Sequence, residues 1–186
     1  EIHLFYQTYG NREKDAICHA RSSDGIRFRK NDTNPIFSPT GDWNIGRAID
    51  AEVVLVKDTA FLYWATRDPS FEKQMIGLAT APIVKGFDRG SWTQIGSGPR
   101  LRPELTWEKN CIEGASVAIL DGRWLMFYAG AYNSEGQQIG LATSRDGIRW
   151  ERYSTFPVLP CGEENAWNAT ESGHPGVFVD DDGTVW

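Results

Sequence analysis

Gln138-Ile-Gly-Leu-Ala-Thr-Ser-Arg-Asp-Gly-Ile-Arg-Trp150 repeats Ala16-Ile-Cys-His-Ala-Arg-Ser-Ser-Asp-Gly-Ile-Arg-Phe28 almost residue for residue. A looser copy, Met75-Ile-Gly-Leu-Ala-Thr-Ala-Pro82, is followed by Gly90-Ser-Trp92. Each reads as a strand, a turn and a second short strand that begins at an aromatic. In the two full copies Asp-Gly supplies the positive-φ residue that such a turn needs.

Upstream of each copy lies an aromatic-rich apolar strand: His3-Leu-Phe-Tyr-Gln7, Phe61-Leu-Tyr-Trp64 and Trp124-Leu-Met-Phe-Tyr128. Upstream again, alternating or fully apolar runs start near Ile49, Ile112 and Gly173, and turns follow at Lys57, Asp121 and Asp180. The unit is therefore four short antiparallel strands in about 60 residues, and a sheet repeated at that period predicts a blade of a β-propeller. A sandwich or an irregular meander explains the period less well. The chain reads as all-β, with about three blade-equivalents in a single domain or fragment over 1–186. The blade units run roughly over 1–40, 46–103 and 109–160, with 171–186 as the first strand of another blade.

Composition agrees. Eight Trp among 186 residues, with 19 Gly and 9 Pro, suit many short strands and turns. A net charge of −6 with scattered basic residues argues against nucleic acid as a partner. No apolar run reaches the length of a membrane span. Cys18, Cys111 and Cys161 are too few for a disulfide scaffold and lack metal-type spacing, which leaves free thiols or a single disulfide.

The chain opens on a second strand and closes where a second strand should begin. Two readings follow: a piece of a longer propeller, or ends that complete a blade within the chain or between copies. The second makes a homo-oligomer that completes the ring a candidate partner.

First strands of propeller blades line the central channel, and the repeat places Asp50, Glu113 and His174 at one equivalent position, 63 and 61 residues apart. Ionisable groups in apolar surroundings are costly unless paired or functional. A carboxylic acid and a carboxylate across a pocket suit glycoside hydrolysis, one protonating the leaving oxygen and the other acting on water or sugar. The alternative for each acid alone is a hydrogen-bonded loop residue.

These residues carry a family resemblance. Ile112-Glu113-Gly114, followed by Asp121-Gly-Arg-Trp-Leu-Met-Phe-Tyr128, resembles the general-acid strand of family 43 glycoside hydrolases. Ile49-Asp50 before Val53-Val-Leu-Val56 resembles the strand whose Asp tunes and orients that acid. His3-Leu-Phe-Tyr-Gln7 resembles a strand of families 32 and 68, and the Ser-x-Asp-Gly turns at Ser22 and Ser144 are similar to those of the five-bladed enzymes and family 117. Arg67-Asp68-Pro69 resembles the Arg-Asp-Pro element of family 32.

The resemblance implies a five-bladed glycosidase fold, carbohydrate as substrate, and catalytic roles for Asp50, Glu113 and His174. The family's base Asp sits on a first strand that would precede Glu1, and His174 takes its place by wrap-around. Trp43, Trp64, Arg67, Asp68 and Glu171 are candidate substrate-binding residues, although a core role competes for each Trp. Asn168 also lies near His174. No cofactor is required, and the group allows a divalent cation on the axis. The substrate class favours a periplasmic or secreted location over a cytoplasmic one. A non-catalytic carbohydrate-binding or assembly module is the competing function.

Overall fold

The computed structural model describes residues 1–10 and 14–186. Eleven strands form three antiparallel sheets among these residues. The first sheet holds β1 (Ile2–Gln7), β2 (Ile17–Ser22) and β3 (Arg29–Lys30). The second holds β4 (Ile49–Val56), β5 (Thr59–Arg67), β6 (Gln74–Pro82) and β7 (Thr93–Gln94). The third holds β8 (Ile112–Leu120), β9 (Arg123–Gly130), β10 (Gln138–Ser144) and β11 (Glu151–Arg152). In the second and third sheets each strand pairs with the next in sequence, the meander of a propeller blade.

Local chemistry sets the hairpins. β8 and β9 are joined through Asp121 and Gly122, both at positive φ (49° and 73°), with Leu120 facing Arg123. That two-residue turn matches the strand twist, and glycine takes such a φ without Cβ strain. The Asp-Gly turns after β2 and β10 are built on the aspartate. The Asp146 carboxylate accepts the Ile148 and Arg149 amides at 2.9 Å each, and Ser144 Oγ accepts Gly147 N–H at 2.9 Å. Asp24 and Ser22 repeat the arrangement.

Packing between blades follows strand alternation. On β5, Leu62 and Trp64 face the first blade, in a core with Ile17, Ile36, Phe37 and Ala79. Tyr63 faces the third, in a core with Ile112, Met126, Tyr128 and Trp150. The period of two along a strand buried on both sides produces both interfaces. Trp150 seals the second and Trp92 borders the first, both as packing residues. Tyr63 Oη donates to Gly147 O at 2.6 Å, tying the second blade to the Asp-Gly turn of the third. Glu108, fully buried, is held by Arg152 at 2.7 and 2.8 Å and by Tyr128 Oη at 2.7 Å. These bonds satisfy its charge and make it a structural ion pair.

One expectation changes and one alternative is decided. Residues 171–186 form no strand, and Phe178 and Trp186 exchange backbone hydrogen bonds at 3.1 and 3.0 Å around an isolated bridge, Val179 to Val185. The segment folds on itself, and among the described residues no bridge joins it to β1. All three cysteines are free thiols.

Candidate functional site

β4 and β8 each carry a bulge near the start, between Ile49 and Glu52 and between Glu113 and Ser116. Ile49 faces Ala65 and Glu113 faces Ala129, so the registers match at a spacing of 64 residues. Asp50 is thereby the counterpart of Gly114, and both lie at positive φ, 54° and 57°. His174, at 48°, shares that backbone conformation. The common position predicted for Asp50, Glu113 and His174 is corrected accordingly: Asp50 and His174 share a backbone state, and Glu113 stands one residue earlier. Both strands carry the same bulge, so the spacing of 64 holds on either side of it, and matching one acid to another at a spacing of 63 misses the register by one residue.

The three side chains still converge. His174 Nε2 lies 3.6 Å from Glu113 Oε1. The Asp50 carboxylate lies beside the Gly114 backbone N–H of the neighbouring blade. Gly114 is tightly set against the imidazole, since a Cβ there would sit 2.9 Å from His174 Nδ1. The Asp50 backbone N–H donates to Gln7 Oε1 at 2.5 Å, which brings β1 to the same point.

Burial and charge tune the groups. Asp50 is pushed above the usual carboxylate range, first by burial and then by the Glu113 charge. His174, Arg47 and the Gly114 amide oppose the shift. Its Oδ2 is buried without a hydrogen-bond partner. His174 is raised above the ordinary histidine value, first by its close approach to the Glu113 carboxylate and then by the Asp50 and Glu171 charges, against the cost of burial. Cys111 is fully buried, and its thiol is pushed up by burial and by the Glu113 and Asp50 charges, which makes it inert.

Glu113 is 7% exposed and bonded on both oxygens. Gln74 Nε2 donates to Oε2, and Gln137 Nε2 donates to Oε1 at 3.0 Å. Gln74 also accepts through Oε1 from Arg47 Nη1 and Arg67 Nε, each at 3.4 Å. The acid is thus positioned by two carboxamides, one of which leads to two guanidinium groups. Sequence reasoning missed Gln74, Gln137 and Arg47. The signal for the glutamines was present: Gln74-Met-Ile-Gly-Leu-Ala-Thr80 and Gln137-Gln-Ile-Gly-Leu-Ala-Thr143 are one motif.

The other candidates divide. Arg67 lies beside this network, its guanidinium 5.2 Å from the Tyr132 ring centre. Trp64 is corrected: it is 1% exposed, packed against Phe37 and stacked on Trp43, so its ring is closed to a sugar face. Trp43 is half-buried with Trp64 as its stacking partner. Asp68 accepts from Ser70 Oγ at 2.6 Å and from the Glu72 and Lys73 amides at 2.8 Å, and so shapes its own loop. Glu171 is exposed and accepts the Ser134 amide at 3.0 Å. Asn168 is buried and bonded to Ser172 Oγ and Pro160 O. Among the described residues no group of three or more His, Cys, Asp or Glu is placed to hold a metal ion.

No protein-family model matches the chain. Alpha-L-arabinofuranosidase 43 of Humicola insolens is 25% identical over 146 residues, 73% of this chain and 29% of that protein. Among solved structures, a thermostable family-43 glycoside hydrolase superposes with a TM-score of 0.73 at 20% identity, covering 98% of this chain and 59% of the other. Fructan 1-exohydrolase IIa from Cichorium intybus superposes with a TM-score of 0.67 at 22% identity, over 86% of this chain and 29% of the other. The chain thus spans less than a third of the arabinofuranosidase and less than two thirds of the first structure. The chain therefore shares the fold of the β-propeller glycoside hydrolases and is similar in sequence to one of them.

Proposed function

We propose that the chain carries the acid side of a glycosidase site, cleaving a glycosidic bond in an oligo- or polysaccharide by carboxylate acid/base catalysis. The observation that supports this most is the setting of Glu113: nearly buried, bonded on both oxygens by glutamines, and facing His174 and Asp50. Glu113 is the general acid that protonates the leaving oxygen. Asp50 orients it from the neighbouring blade. His174, half-exposed at the rim, contacts substrate or aids proton transfer.

Glu113→Gln removes the transferable proton while keeping the shape and one acceptor oxygen. Turnover of glycan substrates should fall by at least ~100-fold with binding retained, since acid catalysis is worth that order. Unchanged turnover would remove Glu113 from the mechanism. Binding of glycan by the wild type with no turnover at all would favour the carbohydrate-binding module.

A further inference from the structure

A cleft of about 550 Å³ opens beside the acid site, lined by Tyr9, Asp15, Ile45, Arg47, Arg67 and Phe71. Its volume falls in the range of small-ligand sites. Two guanidinium groups and one carboxylate line it among these residues, with the Asp50 and Glu113 carboxylates close behind the arginines. Asp15 meets Arg47 at 3.4 Å, a long contact. Arg67 is engaged through Nε by Gln74 and lies over the Tyr132 ring, contacts that fix its plane. Phe71 and Tyr9 are exposed at the edge and offer apolar faces of the kind that cover a sugar ring. Gln74 bridges both arginines to Glu113, so the cleft begins one hydrogen-bonded residue from the candidate acid.

From this arrangement we infer that the cleft takes the carboxylate of an acidic sugar, a hexuronate residue next to the bond being cleaved, with Arg67 and Arg47 as its clamp. Guanidinium groups suit a carboxylate because their forked donors match its two oxygens and stay charged at every working pH. The inference rests on the glycosidase reading for the position of the scissile bond, but not for the binding itself.

The test uses the 186-residue chain with trigalacturonate and glucuronate-bearing xylo-oligosaccharides, each beside its methyl ester. Esterification removes the charge and leaves the sugar. Calorimetry at low salt should show at least one free acid bound about tenfold or more tighter than its ester, with the preference shrinking as salt is added. Arg67→Gln should abolish the preference, and Arg67→Lys should restore part of it. Arg47→Gln, its fold checked by thermal unfolding, should act in the same direction. Equal affinity for acid and ester, no binding of either acid, or a preference that survives both Gln variants would overturn the inference. Glu113→Gln separates the two ideas: it should lose turnover while the acid-over-ester preference persists. A preference without turnover in the wild type would sink the glycosidase reading and leave the carboxylate site standing.

Discussion

At the scale of single residues, His174 is the group whose titration should be visible. Its approach to the Glu113 carboxylate, with the Asp50 and Glu171 charges, raises it above the ordinary histidine value near 6.5. The folded state therefore holds a proton that the unfolded chain gives up more readily. The resulting stability is fully present below pH 6.5 and is lost as pH rises through the folded value. Asp50, also raised, adds the same sign of dependence from a lower starting pH. Thermal unfolding from pH 5.5 to 8.5 should show wild-type stability falling relative to His174→Gln as pH increases. Parallel curves for the two proteins would mean that the imidazole does not bind the carboxylate. The half-exposed side chain limits the size of the effect, because solvent screens the pair.

At the scale of elements, the repeated Ile-Gly-Leu-Ala-Thr strands use glycine to accept an aromatic ring from the strand beside them. Gly77 faces Trp64 and Gly140 faces Tyr128. A Cβ on Gly77 would lie 2.3 Å from the Trp64 ring, and one on Gly140 2.3 Å from that of Tyr128. Neither ring can retreat, since both are fully buried. Gly77→Ala should therefore cost about 1–3 kcal/mol, the usual penalty of overpacking, read from a denaturant midpoint with an unchanged slope. A cost below about 0.5 kcal/mol would show that the core yields there.

The strands, their order and their hairpins were legible in the sequence because period-two hydrophobicity and Asp-Gly turns are local signals. Three things were not. The register of β4 against β8, a spacing of 64 that pairs Asp50 with Gly114 rather than with Glu113, shows only in strand pairing and not in residue type. The face taken by Trp64 depends on a neighbouring blade. Residues 171–186 read as a strand from their apolar run, yet their pairing needs an adjacent edge rather than a pattern, and they close on themselves instead. Arg47 was hidden for a similar reason: no repeat copy marks it, and its meaning comes from the cleft it lines.

Over the whole molecule, the bulged first strands also fasten each blade to the next, by the residue two positions beyond the positive-φ turn. Glu52 Oε1 accepts the Val117 N–H at 2.6 Å and lies 3.4 Å from Ser116 Oγ. Ser116, the counterpart of Glu52, repeats the step by accepting the Val177 N–H at 3.0 Å. The second and third blades are thus joined by a side-chain acceptor meeting a backbone donor, in addition to the apolar core between them, and the third blade holds the C-terminal segment in the same way. Burial raises Glu52 above the usual carboxylate range, and the Val117 amide and Ser116 hydroxyl oppose the shift. Glu52→Ala removes the acceptor and strands a part-buried amide, which should cost about 1–3 kcal/mol. Glu52→Gln keeps an acceptor oxygen at the same reach and should cost less. The loss should also loosen the third blade's first strand, where Glu113 sits one position before the bulge. Hydrogen exchange at Val117 should therefore accelerate in Glu52→Ala and stay slow in Glu52→Gln. If both variants exchange at the wild-type rate, the apolar cores alone hold the second and third blades together, and the acid's position does not depend on this join.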